Sequence, residues 1–295
     1  MNTTKFRQLV TNYEKPHRIA VSSKYPILKE PILALRHILK RIQNLIFRSI
    51  ARTRSNKFYT AVIARHQSVI RRKLGNSDPF LQEQKIINLM RACEDLNGLI
   101  IKPGEVFSLW ETIGKPTLER GYVNGMLLSN GKIVDGVGGG LCQLSNFLCW
   151  IFQHADTKVI ERYHHSMDVF PDSGRTLPFG SGATCMYNFV DLQIKNTSTQ
   201  NLQLKIWITD THLKGQLLAP TNEPLKFDVR EKNHTFIKRG DRYFRYNEIY
   251  KVSKLEGKEI SEKHLFTNFA PVLYPIEPDY FELNNLSLVD LNRVA

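Results

Sequence analysis

No uninterrupted apolar run in this 295-residue chain approaches the roughly 20 residues that cross a bilayer as a helix, so the sequence predicts no transmembrane segment. The stretch from Met1 to Arg7 leads into polar sequence without an apolar core and a small-residue cleavage site, and the expectation is a protein that starts and stays in the cytosol. Cysteine is scarce. Four residues, at 93, 142, 149 and 185, are too few for a disulfide scaffold at this length, and a reducing compartment keeps them as thiols. If Cys142 and Cys149 share one helix they stand about 10 Å apart, beyond disulfide reach. There is no C-x-x-C pair, which argues against a zinc site, and no cofactor is predicted. Internal repeats and low-complexity segments are also missing.

Acidic residues are lacking in one region only. Residues 1–75 hold 17 Lys and Arg against Glu14 and Glu30, whereas the remaining 220 hold 24 against 26, so the whole excess of +13 belongs to the first quarter. Such asymmetry predicts a surface-binding element attached to a neutral body. After Pro31, residues Ile32, Leu35, Ile38, Leu39, Ile42, Leu45, Ile46 and Ile50 form one helical stripe, with Lys40, Arg41, Asn44 and Arg48 opposite. The stripe has two readings. Either it lies on an anionic membrane through residues 32–73, or it packs on the body while the charges face water, the commoner arrangement in globular proteins. Nucleic acid is not expected as a partner, because aromatics are not interleaved with the basic residues.

A second basic helix is expected over Ala61–Leu74, ending at the turn formers Gly75 to Pro79. Leu81 to Leu96 reads as a helix with Ile86, Leu89, Met90 and Cys93 on one face. The period then shifts to β. Residues 126–129 and 132–134, joined by Asn130-Gly131, predict a hairpin with a type I′ turn. Gly136 to Leu141 runs from this hairpin straight into Cys142-Gln143-Leu144-Ser145-Asn146 and an apolar helix. Further strands are expected at 158–163, delivering His164 and His165, at 189–195, at 202–209, and through 226–273. The fold class is α+β: a basic helical region over 1–77, a mixed, mainly antiparallel body over 81–220 with a buried cysteine-bearing helix, and a β-rich extension over 221–295 packed on it.

At a helix N-terminus the dipole and unpaired N–H groups favour thiolate, which makes Cys142 a candidate nucleophile; the alternative reading is a small apolar core filler. The same N–H groups could bind a carboxylate or phosphate. Gly138, Gly139, Gly140, Gln143 and Ser145 are therefore candidate substrate-binding residues.

Four segments, Pro103-Gly104-Glu105-Val106-Phe107-Ser108, Gly138 to Asn146, Ile160 to His165 and Asp191 to Asn196, occur together and in an order that resembles the VanW family. The resemblance spans about Leu81 to Leu218 and implies an accessory role in glycopeptide resistance and peptidoglycan metabolism, with a wall precursor or a related anionic ligand as partner. Many members carry an aspartate where this chain has Gly182; Asp191 matches the family's later aspartate. His165 falls at the family's histidine position. Cysteine at a helix start, histidine after a strand, then aspartate is the element order of papain-like and transglutaminase-like enzymes, although the papain signature around the cysteine is absent. In that reading His165 takes the proton of Cys142, Asp191 orients the imidazole, and amides from Gly140 to Gln143 stabilise an oxyanion. The alternative is a binding module without covalent chemistry, held at the inner membrane face by its basic residues.

Overall fold

A computed structural model describes residues 3–15, 25–71, 79–129, 132–169, 171–172, 176–187, 189–277 and 279–292. The fold is α+β, with mainly antiparallel sheets. The order of elements is helix α1 (Thr3–Glu14), helix α2 (Lys29–Phe47), strands β1 (Thr53–Arg54) and β2 (Ala61–Val69), helix α3 (Pro79–Leu96), β3 (Leu99–Ile101), β4 (Val106–Ser108) and the short α4 (Leu109–Ile113). Then come the hairpin β5 (Asn124–Ser129) and β6 (Lys132–Val137), helix α5 (Leu141–Gln153), β7 (Thr157–Glu161), β8 (Gln193–Asn196), β9 (Leu202–Ile208) and β10 (His212–Ala219). Three long strands, β11 (Leu225–Arg239), β12 (Arg242–Leu255) and β13 (Lys258–Pro271), precede α6 (Tyr280–Leu283) and β14 (Leu288–Asp290).

Helix α5 lies at the centre of the larger core. Leu144, Phe147, Leu148 and Phe152 are buried along it, and its apolar composition on nearly all sides matches a helix enclosed by other elements. One neighbour is the five-stranded sheet β1-β3-β9-β10-β2, where His66 of β2 meets the Phe147 ring at 5.2 Å. Another is the sheet β4-β8-β7, where Phe107 packs on Phe152 at 5.1 Å. The β5–β6 pairing appears as expected, from Asn124 opposite Val137 to Ser129 opposite Lys132; its turn at 130–131 lies outside the described residues.

The expected helix over Ala61–Leu74 is replaced by a strand as far as Val69, and residues 72–78 lie outside the described set. β-Branched Val62, Ile63 and Val69 favour extended backbone, and β2 satisfies its main chain by pairing with β10 at the sheet edge. The N-terminal region is thus helical only in part, and β1 and β2 belong to the sheet of the body. Helix α1 was not read in the sequence; it closes a second core with the sheet β13-β12-β11-β14, burying Phe6 and Val10 beside Phe244 and Tyr246. Lys5 reinforces it with an ion pair to Glu248 at 2.8 Å.

Helix α2 occupies the expected residues but is turned the other way. Its polar residues face the body: Asn44 is 4% exposed and donates to Glu111 at 3.0 Å, Lys40 pairs with Glu161, and Arg48 reaches Glu161 and Gln193. Leu35, Ile38, Leu39, Ile42, Leu45 and Ile46 face outward, 44–67% exposed. The packed arrangement expected for a globular surface helix is therefore inverted. Half-buried acceptors on the body, Glu111 and Glu161, hold the polar face of α2.

Candidate functional site

The glycine segment before α5 is a packing device. Gly139 approaches β5 so closely that a Cβ there would lie 2.0 Å from the carbonyl carbon of Gly125, and its carbonyl accepts from Asn88 of α3 at 2.8 Å. Gly140 caps α5 at φ 97°, a left-handed conformation natural to glycine. The amides are largely spent internally: Gly138 donates to Val123, Gly139 to Gly136, Leu141 to Gly138 and Gln143 to Gly140. Gly138 and Gly139 thus serve the fold and not an open anion cradle. Among the described residues the amides of Gly140 and Cys142 are the two from 138 to 143 without such a main-chain partner. Gln143 is also committed, its amide donating to Ser68 at 2.9 Å and to the Val69 carbonyl at 2.8 Å, which fastens the start of α5 to β2. Ser145 is buried on the inner face, where its hydroxyl faces the Cys185 sulfur.

Cys142 is partly exposed in the first turn of α5. Its sulfur lies 3.6 Å from the Thr184 hydroxyl and 3.7 Å from the Cys185 carbonyl. A second segment supplies these neighbours. Tyr163 and Thr184 form an antiparallel bridge, with the Thr184 amide donating to Tyr163 at 2.8 Å, so 183–185 runs beside the residues that carry His164 and His165. Arg162 fixes that alignment by donating to the carbonyls of Gly180 and Gly182. From the C-terminal sheet, Asn247 and Asn268 hold the Phe179 carbonyl at 2.7 and 3.3 Å. The β-rich extension therefore positions one wall of the site.

The Cys142 thiol is held down at about 5. Hydrogen bonding from the Cys185 side chain is the largest cause; burial opposes it, and the positive charge of His165, the Cys185 main chain and the Thr184 hydroxyl add to the lowering. Cys185 moves the opposite way, well above the usual thiol range, through its bond to Cys142, burial, and the negative charges of Cys142 and Asp191. Cys93 is pushed up to about 12 by burial, and burial also raises Cys149. Of the four sulfurs, Cys142 is the one shifted toward thiolate. His164 turns toward the Phe269 main chain and is lowered mainly by burial, which leaves His165 as the imidazole of the site.

Asp191 does not meet His165 through a hydrogen bond among the described residues. Its carboxylate accepts from Ser108 at 2.6 Å, Gln193 at 2.8 Å and the Trp110 amide at 3.2 Å, so it anchors the start of α4. Burial raises its pKa. The triad expected from element order is not assembled: among the described residues His165 hydrogen-bonds neither Asp191 nor Cys142 and acts on Cys142 through its charge, while Asp191 acts on Cys185. Beyond Asp191 and beneath α2 lies a cavity of about 490 Å³ lined in part by His37, Arg41, Trp110, Glu111 and Tyr187; Cys142 is not among its lining residues. Among the described residues no three His, Cys, Asp or Glu side chains converge as a metal site.

The sequence does not name Thr184 and Cys185 as neighbours of Cys142. The available signal was the run Gly180-Ser181-Gly182-Ala183-Thr184-Cys185, whose small side chains permit a close approach of backbone to α5.

A family model described as VanW like protein matches residues 84–218, which include Cys142, His165, Cys185 and Asp191. The vancomycin B-type resistance protein VanW of Enterococcus faecalis (strain ATCC 700802 / V583) is 30% identical over 201 residues, 68% of this chain and 73% of that protein. The protein YoaR of Bacillus subtilis (strain 168) is 26% identical over 118 residues, 40% of this chain and 37% of its own length. No solved structure matches the chain. On the family match and the extent of its likeness to the Enterococcus protein, this chain belongs to the VanW family.

Proposed function

We propose that this protein is an accessory of vancomycin resistance and that Cys142, with His165, performs acyl transfer or amide hydrolysis on a cell-wall precursor. The first part rests on its likeness to the resistance protein VanW, and the second on the low-pKa sulfur of Cys142 beside His165. The Cys142 thiolate attacks an amide carbonyl, forming a C–S bond, and the C–N bond breaks as His165 passes a proton to the departing amine. Water or an acceptor amine then attacks the thioester, His165 takes the proton of the incoming group, and the thiolate leaves. The Cys142 amide is the placed donor for the oxyanion, with Gly140 the other free amide of the loop. The internal use of the remaining amides weighs against a purely anion-binding module.

The experiment is complementation in a glycopeptide-resistance background lacking the endogenous VanW protein, with cellular protein levels matched by immunoblot. Cys142→Ser and His165→Ala are expected to lower vancomycin tolerance to that of the empty vector, whereas Cys93→Ala keeps it. Full tolerance in the Cys142→Ser strain refutes the nucleophile. No effect of the wild-type chain refutes the resistance role itself.

A further inference from the structure

The outward face of α2 is a stripe of six exposed aliphatic side chains, Leu35, Ile38, Leu39, Ile42, Leu45 and Ile46, with no core beneath it. It cannot simply roll inward. The opposite face is fixed by Lys40 and Arg48 on Glu161, by Asn44 on Glu111, and by Gln193, which donates to Asn44 at 3.2 Å. Rolling the helix to bury the stripe would swing Lys40, Asn44 and Arg48 out to solvent and leave the acidic and amide groups of the body facing aliphatic side chains without these partners. Ile27 and Leu28 extend the exposed apolar surface just before the helix.

We infer that α2 lies flat on an anionic phospholipid surface, its aliphatic stripe inserted among the acyl chains and its flanking cations on the headgroups. Charge selects this occupant. Between Tyr25 and Lys57 the chain carries eight Lys and Arg against the single acidic Glu30; Arg36 and Arg41 are exposed on α2 at the two margins of the stripe, and Arg52 and Lys57 are exposed farther along the chain. A second copy of the chain seated on the same face would oppose these cations with their own kind, which disfavours a symmetric dimer. The stripe is wholly aliphatic, without the Trp and Tyr anchors that dominate protein interfaces. Among the described residues no helix is long and apolar enough to cross a membrane, so the contact lies in the plane of the interface. The inference is independent of the chemistry proposed for Cys142, because none of its residues belongs to that site.

The test is flotation of the full chain with vesicles of phosphatidylcholine alone and with about one third phosphatidylglycerol. Binding is expected to the anionic vesicles at low salt and to be lost near 1 M salt, where the screening length falls to about 3 Å. Arg36→Gln with Arg41→Gln should weaken binding about 25-fold, at roughly fivefold per cation removed near the surface. Ile42→Glu with Leu45→Glu should abolish it. Both positions are solvent-facing, and circular dichroism with thermal melting checks that the variants keep the wild-type fold. The inference is overturned if the wild type stays with the unbound fraction, if the glutamate variant floats unchanged, or if sedimentation reveals a dimer that the same glutamates dissociate. Vesicle binding and vancomycin tolerance are separate readouts, so either can fail without the other.

Discussion

Alkylation of Cys142 as a function of pH gives the most direct test of the site. A thiol at about 5 is about 97% ionised at pH 6.5, whereas a thiol at the ordinary value near 8.5 is about 1% ionised, a difference of about 100-fold in the reactive form. The other three sulfurs are shifted upward, so iodoacetamide at pH 6.5 should modify one residue per chain, located by mass spectrometry to Cys142. The inflection matters more than the plateau, because a thiolate of low basicity is intrinsically the weaker nucleophile. Cys185→Ala removes the largest cause of the lowering and should carry the inflection toward the ordinary thiol range. His165→Ala removes a positive charge and should also move it upward, by the smaller amount. A wild-type inflection near 8.5, or labelling spread over several cysteines, refutes the account of the site.

The same shift predicts a stability profile. A group whose pKa is depressed on folding adds stability that is complete above its unfolded value and disappears as pH falls through its folded value. For Cys142 the contribution is full above about 8.5 and gone below about 5. Urea midpoints measured across that range should rise with pH in the wild type, and the slope should be shallower in Cys142→Ser. Equal slopes in the two proteins would remove the electrostatic explanation.

Two further predictions concern the backbone that positions the thiol. Gly139→Ala forces a methyl against Gly125 and should cost about 3 kcal/mol, at the upper end of overpacking penalties, with a Tm drop of at least about 5 °C by calorimetry; an unchanged Tm would mean that the hairpin yields freely. Gly182→Asp introduces the residue that the family resemblance implies at this position but places its Cβ 2.1 Å from the Asn146 side-chain oxygen. Alone it should destabilise; combined with Asn146→Gly, which itself costs roughly 0.3 kcal/mol in helix propensity, the double variant should be more stable than the sum of the two losses, and strict additivity would show that Asn146 does not occupy the aspartate's space.

Local signals in the sequence carried the fold a long way where a segment's own pattern decides its structure. The hairpin strands, α3 and the start of α5 were legible because the Asn-Gly pair, the spacing of Leu89 and Cys93, and the glycine run each act over a few residues. Ala61–Val69 does not declare itself, because Arg65, His66, Gln67 and Ser68 interrupt its apolar residues in a way that suits either period, and pairing with β10, some 150 residues away, decides between them. The direction of α2 was illegible for a related reason. An amphipathic pattern tells which residues share a face but not which face the body can satisfy, and here the acceptors Glu111 and Glu161 lie 67 and 121 residues from their partners Asn44 and Lys40.

Asp191 and Cys185 show how the same problem reshapes a candidate site. Element order placed an aspartate after the histidine, yet hydrogen bonding from Ser108, Trp110 and Gln193 draws its carboxylate to the start of α4. Cys185, brought in by the Tyr163–Thr184 bridge, feels both that carboxylate and Cys142. The hydrogen bond to Cys142 and burial, with the negative charges of Cys142 and Asp191 behind them, raise Cys185, so Cys185 stays a thiol and can donate to the Cys142 thiolate. In a Cys-His-Asp triad the third group acts through the imidazole; here the third group acts directly on the nucleophile, as a donor whose proton is kept in place by the charges around it. Cys185→Ser therefore separates the two designs: a hydroxyl, itself a donor of high pKa, should retain much of the lowering at Cys142 that alanine loses, whereas dependence on Asp191 through His165 would make serine and alanine at 185 behave alike.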